Sequence, residues 1–451
     1  MPPPMKGNTM KGKLTCLLLI TFLTGCISFY EHPEIPPVEI PVTEITYIEV
    51  ETPLIIEETF EPDEHSSINQ IYIEEVVVDN GIIEFTQEEI DARESVGLNE
   101  EAIERLLRKQ KGLYHFDRIN SYEQRLYVEI LKIMEEYGSG IAISTLTPES
   151  IEKVFQCVLN DHPGIFYVVG YRYTKYTLDE ITKKITFSAS YSIGMTERRN
   201  RQVKIDAYVE RCLSGLPQGA DDYEKVKYIY EYLINNTEYD ATVEDNQNIS
   251  SVFLRGRSVC QGYAKATQYL LNNVGIPATL VMGKVIASGE GHAWNIVKVD
   301  GEYYHVDTTF GDASYISDSN NEPSGSANMW NNNIWPINYD YLLITTAQIE
   351  KTHRIDPIVP LVKCTSTRNN YFVREGLFFT NVDEDKLQAL FKREYERGSS
   401  YITLKCSDNQ VFVEMLDYLI EQQNVFRFID NNEGIVRYVE MEEQLSISFW
   451  L

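Results

Sequence analysis

Apolar residues recur at helical spacing over 122–137 and 148–160, and the charged stretch 88–111 also reads as mostly helical. Over 165–176 and 185–193 the spacing changes to alternation, which predicts a pair of strands. Asp221 is followed three residues later by Glu224, a capping-box start for a helix that ends near Asn235 and Asn236. The run 261–273 is rich in Ala, Leu and Tyr and stops at Val274-Gly275-Ile276-Pro277, where glycine and then proline end a helix. Alternation returns on both sides of Asp300-Gly301, a dipeptide suited to the positive φ values of a two-residue type I′ hairpin. After Pro357 and Pro360 a small α+β unit is expected, with strands at 370–373, 401–405 and 426–429 and helices at 384–396 and 410–423.

The hairpin has a chemical consequence. With Asp300 and Gly301 at its tip, Val299 faces Glu302, Trp294 faces Asp307 and His292 faces Thr309. Alternation then puts His292, Trp294, Asp307 and Thr309 on one face, with His292 and Asp307 diagonal neighbours at roughly 7–8 Å. A slip of one residue would send the two to opposite faces. Cys260 stands at the start of the helix predicted over 261–273, with Ser258 as its candidate cap. There the free amides and the positive end of the helix dipole favour a thiolate. A thiolate nucleophile, an imidazole base and an orienting carboxylate are the parts of covalent thiol catalysis.

Each part also has an ordinary structural reading: a buried small hydrophobe for Cys260, a packed strand residue for His292, a turn cap for Asp307. Their order and joint geometry favour the catalytic one. His305 lies on the same predicted face, as a rival base or a packed aromatic. His292, His305 and Asp307 form a weak zinc alternative, since no helical His pair or paired-cysteine spacing accompanies them. No metal and no cofactor is expected.

The three segments Ser258-Val259-Cys260-Gln261-Gly262-Tyr263, Gly291-His292-Ala293-Trp294-Asn295 and His305-Val306-Asp307-Thr308-Thr309 resemble the transglutaminase-like domain of the papain-like cysteine peptidase superfamily. The stretches 221–230, 236–240 and 339–345 are similar to its bacterial members, and the resemblance is specific over about 220–350 and weaker over 115–220. It implies an α+β core with the catalytic Cys at a helix N-terminus and the His and Asp on adjacent antiparallel strands. It also implies Cys260 as nucleophile, His292 as general base and acid, and Asp307 as orienter. The expected chemistry is attack on a peptide or protein amide, a thioester, and resolution by water (peptidase or amidase) or by an amine (transglutaminase). A binding or scaffolding protein that keeps the fold is the competing class. Tyr239 is expected to be a buried structural tyrosine in preference to an oxyanion donor, and the Asn/Ser/Asp-rich loop 314–333 a solvated loop in preference to a lid.

Composition and the chain's opening set the context. Met10-Lys11-Gly12-Lys13, a short apolar run and Leu23-Thr24-Gly25-Cys26 look like a lipoprotein signal, with Cys26 as the lipidated residue. Between Lys13 and Arg93 there is no Lys or Arg, while Glu, Asp and Pro recur, so 27–87 reads as an extended acidic stalk. An N-terminal α/β subdomain (88–219), the catalytic domain (220–356) and the C-terminal unit (361–451) are expected to follow. The net charge of −28 offers no basic patch for phosphates and excludes nucleic acid as a partner. The expected setting is extracytoplasmic, anchored to a membrane through the lipid. Cys157, Cys212, Cys364 and Cys406 are too scattered for a disulfide framework and are expected to be free thiols.

Overall fold

In a computed structural model the described residues are 83–178, 181–312, 337–429 and 435–451; Cys26, the stalk up to residue 82 and the loop 314–333 lie outside them. Four helices, α1 (Gln87–Ser95), α2 (Glu100–Gln110), α3 (Ser121–Glu135) and α4 (Pro148–Asp161), open this part of the chain. Thr86 and Asn120 close capping boxes with Glu89 and Glu123, which explains where α1 and α3 begin. Strands β1 (Ile141–Ala142), β2 (Val168–Leu178) and β3 (Ile181–Tyr191) form an antiparallel sheet in the order β1-β3-β2. Arg93 ties this region together from inside: its guanidinium lies 2.7 Å from Glu129 and 2.6 Å from the Ala142 carbonyl.

Helices α5 (Met195–Ser214), α6 (Asp222–Asn236) and α7 (Ile249–Arg255) lead to α8 (Cys260–Asn273). The short parallel strands β4 (Glu238–Tyr239) and β5 (Arg257–Ser258) come between them. Helix α6 starts on the expected Asp221/Glu224 capping box. Every residue of α8 from Cys260 to Gln268 is buried, so this is a central helix and not an amphipathic one. Gly262 makes the tight approach at its start feasible, since a Cβ there would fall 1.8 Å from Ser258 Oγ.

The central sheet has the order β10-β6-β7-β8-β9, with β6 (Ala278–Val285), β7 (Gly291–Val299), β8 (Glu302–Val306), β9 (Leu342–Ile344) and β10 (His353–Ile355) all antiparallel. The hairpin has the register that alternation requires: Val299 pairs with Glu302 and Asn295 with Val306, about a turn whose Asp300 and Gly301 have φ of 50° and 85°. On one face Leu280 and Ala293 pack on Ala264 of α8. On the other, Val281, Trp294, Ile296 and Ile344 form a small core with Ile349 and Cys364.

Two short helices, α9 (Thr308–Gly311) and α10 (Thr346–Ile349), flank β9, and α11 (Tyr371–Arg374) opens the C-terminal region. There a second mixed sheet, ordered β11-β12-β14-β13, comprises β11 (Phe378–Phe379), β12 (Tyr401–Cys406), β13 (Tyr438–Met441) and β14 (Ser446–Trp450). Helix α12 (Glu384–Arg397) and α13 (Asn409–Leu416), which continues as a π turn over Asp417–Glu421, follow the expected pattern. Two expected strands are absent. Asn370 caps a helical turn by accepting from the Phe372 amide, and 426–429 runs through the 3-10 turn Asn424–Arg427, entered through Gln423 at φ 61°.

This region is not detached from the rest. Lys405 Nζ lies 2.6 Å from Asp340 Oδ1, both buried, and Ser446 Oγ donates to Asp340 Oδ2 at 2.6 Å. The rings of Tyr339 and Tyr371 stack at 3.7 Å, and one hydrophobic core runs from Val96 to Phe449. Among the described residues no helix is long and apolar enough to cross a membrane.

Candidate active site

Cys260 is the first residue of α8, and the cap position before it is Val259, in extended conformation with no side-chain cap. Ser258 is therefore not the cap the sequence suggested. Its hydroxyl instead donates to the Asn246 carbonyl at 2.7 Å and meets Ser251 Oγ at 2.7 Å, which anchors the α7–α8 connection. Among the described residues no side chain caps the leading amides of α8, the arrangement that favours an anion at the helix start. Cys260 is a free thiol, 7 % exposed, and stands close enough to His292 to favour the protonated ring.

His292 Nε2 lies 2.7 Å from Asp307 Oδ2, with both side chains buried. With Nε2 engaged, Nδ1 is the ring nitrogen left for Cys260. Asp307 lies one residue beyond β8, at the cap of α9, where its Oδ1 accepts from the amides of Thr309 and Phe310 at 2.9 and 3.1 Å. The carboxylate is thus aimed by a helix cap as well as by the hairpin. Burial opposes the imidazolium of His292, but the charge and hydrogen bond of Asp307 outweigh it and raise the ring's basicity. Burial likewise opposes the Asp307 carboxylate, while His292 and then His353 hold it well below the usual carboxylate range.

His305 takes neither the role of rival base nor that of metal ligand. It accepts from Trp294 Nε1 at 3.0 Å, meets Thr346 Oγ1 at 3.1 Å, and is pulled down to about 3 by burial and by the nearby His353. The second imidazole at Asp307 is His353, which sequence reasoning did not single out: its Nε2 is 3.2 Å from Asp307 Oδ2. Donor atoms of His292, Asp307 and His353 all lie within 4.8 Å of one another. The 2.7 Å separation of His292 Nε2 and Asp307 Oδ2 is a hydrogen-bond distance. Neighbouring ligands about 2.0 Å from a tetrahedral zinc stand roughly 3.3 Å apart, so the cluster as placed is hydrogen-bonded and not a coordination shell.

Trp294 lies against His292 at 6.0 Å between ring centroids and Phe310 edge-on at 5.0 Å. Gly283 pairs with His292 across β6 and β7, and a Cβ there would fall 2.2 Å from the Arg354 carbonyl and 2.6 Å from the Trp294 ring. Tyr239, half-buried, pairs with Ser258 in the β4–β5 ladder and packs on Tyr263 at 6.4 Å. Lys265, five residues along α8 from Cys260, is buried, and burial pushes its ammonium down to about 8. The thiols of Cys157, Cys212, Cys364 and Cys406 are free and buried, and burial pushes each up to about 12. The arrangement thus supplies one thiol beside an imidazole that a buried carboxylate makes basic, at a helix start with amides to spare.

Residues 212–308, a span that contains Cys260, His292 and Asp307, match the family model described as "Transglutaminase-like superfamily". A search of curated proteins finds no match. Among solved structures, a TGase matches at 17 % identity and TM-score 0.23, over 32 % of this chain and 44 % of that one. A candidate cysteine protease from Cytophaga hutchinsonii matches at 14 % identity and TM-score 0.22, over 31 % and 61 %. A candidate protease from Parabacteroides distasonis matches at 11 % and TM-score 0.20, over 30 % and 35 %. In each case the match spans less than two thirds of the other chain.

Proposed function

We propose that this chain, which carries a transglutaminase-like domain over residues 212–308, is a thiol enzyme acting on peptide or protein amides. The observation that carries the reading is the buried 2.7 Å contact of His292 and Asp307 beside Cys260 at the uncapped start of α8. In this reading His292 takes the thiol proton, and the Cys260 sulfur attacks the amide carbon. The oxyanion that forms is met by amides of the first turn of α8. As the C–N bond breaks, the His292 imidazolium gives its proton to the departing amine and a thioester remains. Water or an amine then resolves the thioester, with His292 taking the incoming proton, to give hydrolysis or acyl transfer. The enzyme works outside the cytoplasm in this proposal, held to a membrane by a lipid on Cys26.

The test is the pH dependence of Cys260 alkylation in wild type and His292→Ala, with the labelled site identified by peptide mass. Burial pushes the four other described thiols up to about 12, whereas Cys260 stands beside a basic imidazole, so Cys260 is expected to dominate. Labelling that stays fast well below the ordinary thiol value of about 8.5, and that is lost in His292→Ala, is the expected result. Slow labelling in both folded proteins favours the non-catalytic scaffold. Anchoring is tested separately, with Cys26→Ala expected to release the protein from the membrane fraction.

A further inference from the structure

Asp307 Oδ2 has two imidazole neighbours, His292 Nε2 at 2.7 Å and His353 Nε2 at 3.2 Å. His353 opens β10, where it pairs with Val285, and it is 1 % exposed. Its ring is walled by Phe310, His292, Trp294 and Tyr341, at 4.6, 5.0, 5.1 and 5.8 Å between centroids. The titratable groups that face it are therefore Asp307, His292 and Tyr341, with His305 close enough to feel its charge.

The carboxylate beside His353 assigns its tautomer: a bare Nε2 at 3.2 Å from Asp307 Oδ2 would set lone pair against lone pair, so a neutral ring carries its proton on Nε2. Nδ1 then accepts from Thr352 Oγ1 at 2.7 Å, a shorter contact than the 3.4 Å at which that hydroxyl otherwise donates to the Ile349 carbonyl, while Tyr341 Oη donates to Thr352 at 3.3 Å. Burial lowers the basicity of His353 and keeps the ring neutral. Nε2 has no well-directed partner among the described residues, so the contact it has is Asp307 Oδ2. A second N–H on one carboxylate oxygen draws off charge that would otherwise serve the first.

We propose that His353 is a positioning residue: by holding Nε2–H 3.2 Å from the same Asp307 oxygen that binds His292, it limits how tightly Asp307 holds the His292 proton. This rests on the thiol-enzyme reading above. Its consequence is an imidazolium that remains acidic enough to release its proton to the departing amine, in a site where Asp307 alone would hold it too firmly.

The test is a ring-nitrogen NMR titration of His292 in wild type, His353→Phe, His353→Gln and Thr352→Val, run beside Cys260 alkylation. Phe keeps the ring without a donor, Gln restores an N–H, and Val removes the hydroxyl that donates to Nδ1. His353→Phe is expected to raise the His292 midpoint by about one pH unit, a tenfold gain in proton affinity. His353→Gln should return it to wild type, and Thr352→Val should move it the same way as Phe. An unchanged midpoint in Phe and Val, or equal shifts in Phe and Gln, overturns the proposal, the latter by showing a packing effect. If His353→Phe does not fold, the Val and Gln results decide. An ordinary thiol profile for Cys260 in wild type sinks the underlying reading, and the proposal with it, by a separate measurement.

Discussion

Replacing Lys265 by methionine should stabilise this protein, and the gain should fade as pH rises. Lys265 is 8 % exposed and, among the described residues, no ion pair balances its charge; burial alone pushes it from 10.5 down to about 8. A basic group whose folded value lies below its unfolded value is a liability wherever it must carry its charge in the fold. The penalty is full below about pH 8, shrinks between about 8 and 10.5, and is gone above that range. At about 1.4 kcal/mol for each tenfold change in proton affinity, the drop from 10.5 to about 8 corresponds to about 3 kcal/mol at pH 7. Methionine keeps most of the lysine stem's packing and needs no hydration. Urea unfolding of wild type and Lys265→Met at pH 7, 8, 9 and 10 measures the difference, and groups that titrate equally in both proteins cancel. A variant no more stable at pH 7, or a difference that stays constant with pH, refutes the reasoning. A gain in stability joined to a loss of turnover would place the cation in substrate binding one turn from Cys260.

Gly283→Ala should cost about 1–3 kcal/mol through overpacking, because the new Cβ meets the Arg354 carbonyl at 2.2 Å and the Trp294 ring at 2.6 Å. The relief available is displacement of β10, so the His353–Asp307 contact should lengthen, and the His292 ring resonances should report it. Lys405→Ala leaves the Asp340 carboxylate buried with Ser446 as its one remaining partner among the described residues, and should cost about 3–5 kcal/mol in denaturant unfolding. The double variant Lys405→Met with Asp340→Asn should recover most of that loss, since it removes the stranded charge as well as the pair.

Much of the candidate site was legible because it is built from short-range rules. The type I′ preference of Asp300-Gly301 and a period of two are enough to bring His292 beside Asp307, fifteen residues on, at 2.7 Å, although the ladder ends at Val306 and the expected pairing of His292 with Thr309 gives way to the helix Thr308–Gly311 that Asp307 caps. The start of α8 was legible from its stop at Gly275 and its apolar run. Its cap was not, because Ser258 has a stronger claim from Asn246 and Ser251, which are placed there only when α7 docks. In the C-terminal region the aromatic content of 370–373 and 426–429 argued for strands. The Asn370 cap and the turn at Gln423 decided otherwise, and the strand positions went to Tyr438–Met441 and Ser446–Trp450.

What the sequence alone determined is thus the local grammar: several of the longer helices, where the hairpin turns, and which thiol stands at a helix start. The partner of each buried charge was decided by the tertiary structure. His353 reaches Asp307 only because β10 folds back along β6, over a glycine small enough to let the Arg354 carbonyl approach. Asp340 meets Lys405, sixty-five residues later, only because the fold brings β12 and β14 to the turn that precedes β9. A buried carboxylate must find its donors wherever the chain brings them, and nothing in its immediate neighbours records which they will be.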